Sequence, residues 1–319
     1  MSEVNEKKIA LVESIRTGDL TPEAAIREFE KITPTQMRTG RIYEQKTREQ
    51  RVEQYRASKG TRITIRQNRV PFIDKSFLPG LWLSQGLIVV GAKSGRAKST
   101  TASNVLAGFL QSVPDKSAIV VSNEEATDAI LERTACILLE VSYGDFYSGN
   151  STKERVIEEC VTDFIIPRVE VVEDGKFNMS YIDDVQSVLE TAAIDKAGIV
   201  IVDYLQCITQ SRAQPGLESF QISKLLGLYL KEYGKKNGVP VVCFVQLSNG
   251  ADGADFGSRV QNDKTFVNHA FLAIEIEPDF ENKNAKFKVH KGRFFGHTGR
   301  EVVMDFKGGR YVAQGGDSL

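Results

Sequence analysis

The sequence predicts an α/β fold with a mainly parallel central sheet flanked by helices, a C-terminal antiparallel β extension and a short N-terminal helical arm. Three observations support this prediction. Short apolar runs alternate with longer helix-like segments through the middle of the chain, which is the pattern of βαβ units in a sheet covered on both faces. One apolar run leads through small residues into a helix, as phosphate-binding loops do. After residue 270 the pattern changes to strand-like runs.

The predicted elements follow from these runs. The predicted strands of the parallel sheet are Leu87–Val90, Ala118–Val121, Ile199–Val202 and Val241–Val245. The predicted helices are Ser99–Gln111, Thr127–Leu139, Tyr181–Ala193 and Ser219–Lys236. The strand-like runs of the antiparallel extension are Phe271–Ile276, Phe287–His290 and Glu301–Phe306.

Residues 1–70 differ from the rest of the chain because they are polar, charged and helix-prone, with few large apolar side chains. Thr21-Pro22-Glu23 is typical of a helix start, since proline fits the first helical position. From Arg38 to Arg69 the segment is basic. It is either a solvated helix and linker, or an arm that docks on a neighbouring subunit or on nucleic acid. We therefore expect an arm at residues 1–70 and the main domain at residues 71–319.

The composition of the 319 residues limits the class of protein. Lys and Arg (41) nearly balance Asp and Glu (42), for a net charge of -1, so nucleic-acid binding would need a local basic surface. The N-terminus is polar and no apolar run approaches the ~20 residues of a membrane span, which predicts a cytoplasmic protein without membrane attachment. The four cysteines are far apart, which favours buried thiols in a reducing cytosol over a metal or redox site.

The stretch from Leu87 to Thr100 is the most informative part of the sequence, because a buried strand, a small-residue loop, Lys-Ser and a helix follow in order. In such a loop the backbone N–H groups and the helix N-terminus surround the phosphates, Lys98 contacts the outer phosphates and Ser99 binds Mg²⁺. The predicted nucleotide-binding residues are Ala92, Lys93, Ser94, Gly95, Arg96, Ala97, Lys98, Ser99 and Thr100.

Two alanines occupy positions where the consensus phosphate loop has glycine. Ala92 replaces the first of these glycines and Ala97 the last. Alanine is accommodated easily where the backbone keeps a negative φ, and less easily where φ is positive. We expect replacement of Ala97 by glycine to be tolerated.

Two further predicted strands end in acidic residues, which a phosphate loop needs as partners. Asp203 follows Ile199–Val202 at the carboxyl end of a central strand and is the predicted metal-binding carboxylate. Ala118–Val121 leads to Glu124 and Glu125, either of which would orient the attacking water. Acidic residues also favour a helix N-terminus, so this pattern leaves both interpretations open.

The strand Val241–Val245 ends in Gln246. An amide at this position can contact a γ-phosphate and transmit its loss to the following loop. The alternative is an ordinary polar residue at a strand end.

In this order, the motifs resemble the motor domain of DnaB-type replicative helicases, which has a RecA-like core. The resemblance rests on the stretch from Leu81 to Ser99, on Asp203-Tyr-Leu-Gln206, on Gln246-Leu-Ser248, and on the late motif that runs from Lys291-Gly-Arg293 to Gly299. It covers roughly residues 72–310. Each motif is moderately specific, whereas all of them in the family's order are highly specific.

The resemblance implies a ring, usually of six subunits, with ATP bound at each subunit interface. It gives nucleotide and metal binding to Lys98, Ser99 and Asp203. It makes Glu124 the catalytic glutamate and Gln246 the γ-phosphate sensor.

Lys291 and Arg293 match the pair of basic residues that enters the neighbouring subunit's site in this family. Arg293 would be the arginine finger, a cation that stabilises charge on the transferring phosphoryl group. Without the other motifs, the Lys291-Gly-Arg293 segment would be interpreted as a solvated basic hairpin.

Two loops, Thr209–Gln221 and Asn249–Lys264, follow the strands that end in Asp203 and Gln246, and the family holds single-stranded DNA with such loops. The predicted DNA-binding cations are Arg212, Arg259 and Lys264. The aromatic side chains of these loops are Phe220 and Phe256, so backbone contact is favoured over base stacking. Flexible surface loops without DNA are the alternative.

The sequence therefore predicts an ATP-dependent, Mg²⁺-requiring DNA helicase that couples hydrolysis at subunit interfaces to translocation on single-stranded DNA and duplex unwinding. Primase or other replisome proteins are possible further partners. The short polar N-terminal part and Ala97 depart from the family and favour a stripped-down version, as in a phage or mobile element. The alternatives are a RecA-type strand-exchange recombinase, and a nucleotide-dependent DNA-binding or loading factor that does not unwind DNA.

Overall fold

The computed structural model describes residues 86–95, 97–122, 125–146, 151–172, 179–191, 197–248, 255–261, 266–292 and 298–314, and three isolated positions at 52, 53 and 56. The chain divides into two units, Met1–Ala57 and Ser58–Leu319, and apart from those three positions the described residues belong to the second unit. Apart from those three positions, the predicted N-terminal arm lies outside the described residues, so the arm and its boundary at residue 70 stay predictions.

The second unit alternates strands and helices and then ends in strands. The strands are β1 Gly86–Lys93, β2 Ser117–Ser122, β3 Val169–Val172, β4 Ala197–Asp203, β5 Pro240–Leu247, β6 Leu272–Asp279, β7 Asn284–Gly292, β8 Glu301–Lys307 and β9 Arg310–Ala313. The α-helices are α1 Lys98–Ser112, α2 Thr127–Leu138, α3 Tyr143–Phe146, α4 Ser151–Glu159, α5 Ile182–Thr191, α6 Ser219–Asn237, α7 Phe256–Arg259 and α8 Phe266–His269. A π-helical segment Cys160–Ile165 and 3₁₀ turns at Ile166–Arg168 and Leu205–Cys207 complete the described elements.

The nine described strands form one sheet in the order β3-β2-β4-β5-β1-β6-β7-β8-β9. The pairs from β3 to β6 are parallel, and the pairs from β6 to β9 are antiparallel. The predicted fold class, a mainly parallel sheet flanked by helices with an antiparallel extension, is confirmed. The sequence did not predict β3 and β9, because each has only four residues and is too short to show a clear alternation.

Alternate residues of the central strands enter two separate apolar cores. In β1, Ile88 and Val90 belong to one core together with the apolar side of α1, while Leu87 and Val89 belong to the other together with α6. The strand therefore has no polar face, which explains its continuous apolar sequence. Among the described residues, no helix is both long and apolar enough to cross a membrane.

The antiparallel extension is attached to α1 by hydrogen bonds. The Asn104 side chain donates to the carbonyl of Gly309 at 2.9 Å and accepts from the backbone N–H of Tyr311 at 3.1 Å. The Tyr311 hydroxyl lies 3.3 Å from that of Thr101. Helix α1 and the last hairpin are thereby held side by side.

Ala97 immediately precedes α1 and has φ 62° and ψ 25°, in the left-handed region. Its carbonyl accepts both the backbone N–H and the hydroxyl of Thr101, at 2.9 and 2.8 Å, which anchors the first turn of the helix. The left-handed region is unfavourable for an L-residue with a Cβ, by roughly 1–2 kcal/mol. The glycine that the consensus loop has at this position would avoid that penalty.

We expect Ala97→Gly to raise the free energy of unfolding by up to about 1 kcal/mol, because relief of the left-handed strain is partly offset by the greater freedom of glycine in the unfolded chain. Denaturant unfolding measures the change. Ala102→Gly is the matched control, since Ala102 is buried inside α1 and its replacement should destabilise the protein by about 1 kcal/mol or more. An Ala97→Gly loss as large as that of Ala102→Gly would contradict the strain argument.

Candidate nucleotide site

The register of the parallel strands brings the predicted site residues to one edge of the sheet. Ala92 at the end of β1 lies opposite Gln246 at the end of β5. Asp203 at the end of β4 lies opposite Ser122 at the end of β2. Because parallel strands end at the same edge, four chain segments that are distant in sequence meet here.

The predicted phosphate loop joins β1 to α1. Lys93 ends the strand, Ser94 and Gly95 form a turn, and Lys98 is the first residue of a 15-residue helix, so the helix N-terminus faces the edge of the sheet. Arg96 lies outside the described residues.

The buried Lys98 side chain lies against Tyr204. Its ammonium is 5.0 Å from the centre of the Tyr204 ring, a cation–π distance. Tyr204 follows Asp203, so the end of β4 reaches the phosphate loop even though β5 lies between β4 and β1. Tyr204 belongs to the Asp203-Tyr-Leu-Gln206 motif, but the motif alone predicted no role for it.

The residues at this edge have the oxygen donors that Mg²⁺ prefers. Asp203 is a buried carboxylate at the carboxyl end of β4, and Ser99 presents a hydroxyl in the first turn of α1. One carboxylate and one hydroxyl, completed by substrate phosphates and water, match the usual binding of this ion. The donor chemistry therefore fits the predicted metal.

The two candidate bases after β2 differ in availability. Both carboxylate oxygens of Glu125 accept hydrogen bonds from the Arg133 guanidinium, at 2.6 and 2.9 Å. A carboxylate held by such a bidentate ion pair is a poor acceptor for a water proton. This leaves Glu124, which lies outside the described residues, as the better candidate of the two.

The side-chain amide of Gln206 holds the end of β5 in place. Its NH₂ group donates to the carbonyl of Gln246 at 3.1 Å and to that of Gln261 at 3.3 Å, and its oxygen accepts from the backbone N–H of Gln246 at 3.0 Å. These bonds imitate a sheet pairing beyond the end of β4. Gln206 thereby positions the predicted γ-phosphate sensor, a role that sequence reasoning missed.

A cleft of about 140 Å³ lies beside the N-terminus of α1. Ala97 and Thr100 form its wall on the phosphate-loop side. The opposite wall comes from the extension, with residues of the β6–β7 turn and two aromatic side chains, Phe306 and Tyr311. Phe280 in that turn is 60% exposed. The cleft could not be predicted from the sequence, because its two walls are separated by about 180 residues of chain.

The late basic motif is only partly described. The Lys291 ammonium donates to the carbonyls of Val267 at 2.7 Å and Asn268 at 3.0 Å, so it caps the short helix α8 of its own subunit. The prediction that Lys291 enters a neighbouring site is not favoured by this arrangement. Arg293 lies outside the described residues, and its role as a finger stays a prediction.

The predicted DNA-binding cations have different surroundings. Arg212 pairs with Asp184 at 2.8 Å and keeps its side chain 49% exposed. Arg259 instead turns inward to Glu275 and is 13% exposed, which does not favour phosphate contact. Lys264 lies outside the described residues.

The aromatic side chains of the two loops also differ. Phe256 is buried, whereas Phe220 is 54% exposed. Of these two rings, only that of Phe220 is exposed enough to contact a ligand from the solvent.

Two of the four cysteines, Cys136 and Cys243, are buried. Burial raises the pKa of both thiols, that of Cys136 to about 11, which keeps them protonated at neutral pH. The described residues contain no group of three or more His, Cys, Asp or Glu side chains arranged to hold a metal ion.

Comparison with solved structures supports the fold. The ATPase domain of G40P superimposes with a TM-score of 0.65 at 13% identity, over 85% of this chain and 99% of that chain. A structure described as a DnaB-like replicative helicase and its interactions with primase gives 0.62 at 15% identity, over 97% of this chain and 76% of that chain. The RadB recombinase gives 0.51 at 14% identity, over 75% and 95% of the two chains. These likenesses show a RecA-like fold.

Sequence comparison identifies the family. The replicative DNA helicase DnaB of Mycoplasma pneumoniae is 24% identical in an alignment of 201 residues, and the match covers 58% of this chain and only 40% of the relative's length. Residues 70–255, more than half of the chain, match the family described as DnaB-like helicase C terminal domain. The chain therefore belongs to the DnaB-like helicase C-terminal domain family, as its motifs indicated.

Proposed function

We propose that this chain is an ATP-driven DNA helicase motor that hydrolyses ATP at the interfaces of a ring and moves along single-stranded DNA. The observation that carries the proposal is the meeting of Lys98, Asp203 and Gln246 at one edge of the sheet, beside the N-terminus of a long helix. A cation, a carboxylate and an amide so arranged suit the binding and sensing of a nucleoside triphosphate.

Each of these residues has a proposed role. Lys98 moves from the Tyr204 ring to the outer phosphates, and the N–H groups of the loop bind the phosphate oxygens. Ser99 and Asp203 hold Mg²⁺, which supplies charge neutralisation on the phosphates when bound. Glu124 orients the attacking water and accepts its proton. Gln246 contacts the γ-phosphate, and its position depends on Gln206.

The cleft beside α1 accommodates the nucleoside. The wall formed by Ala97 and Thr100 adjoins the proposed phosphate-binding turn. The aromatic side chains form the opposite wall, and the cleft between the two walls has a volume of about 140 Å³. A base is flat and apolar on its faces, so it binds by stacking on an aromatic ring. Phe280 is the exposed ring placed for this contact.

The DNA contacts are proposed for the loops after β4 and β5. Arg212 is the described cation that remains half exposed, and Lys264 is proposed from its position in the second loop. A neighbouring copy of the chain supplies Arg293, so the complete site requires a homo-oligomer, which the family resemblance makes a hexamer. A primase is proposed as a further partner, because a related structure is described with its primase interactions.

A strand-exchange recombinase is the second candidate, and the RadB likeness favours it only at the level of fold. A loading factor with slow turnover is the third, and the strained Ala97 favours it. Stimulation of ATPase activity by single-stranded DNA separates the first two from the third. Unwinding of a forked duplex separates the helicase from the recombinase.

We expect Lys98→Ala to abolish ATP hydrolysis while the protein still folds, since it removes the single ammonium that contacts the outer phosphates. Steady-state ATPase assays and circular dichroism measure the two properties. Lys235→Ala, at an exposed position of α6, is the matched control and should retain full activity. Undiminished turnover in Lys98→Ala would contradict the phosphate-loop assignment.

We expect Arg293→Ala to bind ATP nearly as well as the wild type but to hydrolyse it roughly 10³-fold more slowly, because a trans-acting finger is lost. Glu124→Ala should be equally inactive alone. In mixed rings some interfaces pair an intact Glu124 with an intact Arg293, so part of the activity should return. No recovery despite proven subunit exchange would exclude action in trans.

We expect Phe280→Ala to raise KM for ATP about tenfold with little change in kcat, since base stacking contributes about 1–3 kcal/mol. Binding of inorganic tripolyphosphate should be unaffected, because it lacks the base. Phe164→Ala removes another partly exposed ring, on the π-helical segment, and serves as the control. Equal weakening of ATP and tripolyphosphate binding would show that Phe280 does not contact the base.

A further inference from the structure

A buried carboxylate on β6 binds an arginine and a histidine side chain from different parts of the chain. Glu275 has a side chain that is only 3% exposed, and it forms an ion pair with Arg259 and a close contact with the His290 ring. The His290 Nε2 lies 2.7 Å from the carboxylate and donates to it. Burial alone would raise the pKa of Glu275, but the hydrogen bonds from His290 and Arg259 outweigh it and lower the pKa to about 2, so the carboxylate is ionised at neutral pH.

The two partners of Glu275 belong to segments that the proposed function uses. Arg259 ends α7, in the loop after β5 that is proposed to bind DNA. His290 is on β7, and Gly292 at the end of that strand is followed by the proposed finger Arg293. A single carboxylate therefore joins the DNA-binding loop to the strand that carries the finger.

Other contacts strengthen the same connection. The ring of Phe256, at the start of α7, stacks on the His290 ring with centroids 4.8 Å apart. Lys291 donates to carbonyls at the end of α8, on the other flank of the loop. Adjacent residues of β7 thus hold α7, which lies within the loop, and α8, which follows it.

The cluster also adjoins the phosphate loop and the sensor. Glu275 lies opposite Gly91 of β1, and a Cβ on Gly91 would lie 2.6 Å from the Phe256 ring. Gln261, two residues after Arg259, donates its backbone N–H to the carbonyl of Gln246 at 3.1 Å. A change at the γ-phosphate sensor therefore reaches Arg259 through a short, hydrogen-bonded piece of chain.

We propose that Glu275 is a positioning residue that ties α7 to the end of β7 through Arg259 and His290, so that the DNA-binding loop and the finger strand move as one unit. The transmission from DNA to finger rests on the proposed function, whereas the physical linkage does not. Coupling of this kind is reciprocal: loosening α7 should loosen the end of β7, and loosening the end of β7 should loosen α7.

Amide hydrogen exchange on the full chain tests the linkage without reference to activity. Arg259→Gln should speed exchange of amides in residues 288–292 about tenfold, and His290→Gln should do the same for residues 255–261. Glu277→Gln is the control, because it breaks an exposed ion pair with Lys286 on the same two strands and should leave both segments unchanged. Exchange that speeds up only in the mutated segment would overturn the linkage.

ATPase kinetics test the transmission step. In Arg259→Gln, the ratio of kcat with single-stranded DNA to kcat without it should fall about tenfold, while KM for ATP stays within roughly twofold. A merely structural role would lower both kcat values alike and leave their ratio unchanged, which would overturn the transmission step. The Arg259→Gln, Glu275→Gln double variant should show no larger a fall in this kcat ratio than either single variant, because each substitution already breaks the Arg259–Glu275 connection.

The two tests separate the two proposals. A wild-type protein whose ATPase does not respond to DNA would refute the proposed function, while the exchange result would still decide whether α7 and β7 are tied. Glu275→Asp should keep part of the protection from amide exchange in residues 255–261 and 288–292, since aspartate retains the carboxylate on a shorter side chain. Full loss of that protection in a folded Glu275→Asp variant would count against the carboxylate as the tie.

Discussion

The parallel pairing of β5 with both β1 and β4 is the constraint on which the candidate site depends. Both faces of these strands are buried in separate apolar cores, so a slip of one residue would move each side chain into the wrong core. The register is therefore strongly determined, and with it the meeting of Ala92, Gln246 and Asp203 at one edge. Gln206 extends this pairing past the last residue of β4 by imitating a backbone partner.

The antiparallel extension has two roles that follow from its place beside β1 and α1. The Asn104 side chain donates one hydrogen bond to the last hairpin and accepts another from it, so the hairpin is attached to α1 and forms a wall of the cleft beside that helix. On the other side, Glu275 introduces a negative charge into a nearly solvent-free position. A buried charge needs an oppositely charged partner and further hydrogen bonds, which Arg259 and His290 supply, so the segments that carry these two residues are connected.

The basic residues show why part of the site was beyond prediction. Arg212 and Arg259 both follow strands, in polar loops, and look alike in the sequence. In the structure Arg212 stays half exposed, whereas Arg259 faces a buried carboxylate from a strand that follows it in the chain. Lys291 likewise caps a helix of its own subunit. Charge can be read from a sequence, but the partner that a long side chain selects depends on which segments fold next to it.

The alternation of strands and helices and the family could be predicted from the residues alone, because both depend on short-range patterns: apolar periodicity, strand-end polar residues and a strand–loop–helix motif. The left-handed backbone of Ala97, the cleft beside α1 and the Glu275 cluster are visible only in the folded protein. Each of these arises where segments far apart in the chain come into contact, or where the surrounding fold imposes a backbone conformation, and neither effect leaves a local signal in the residues themselves.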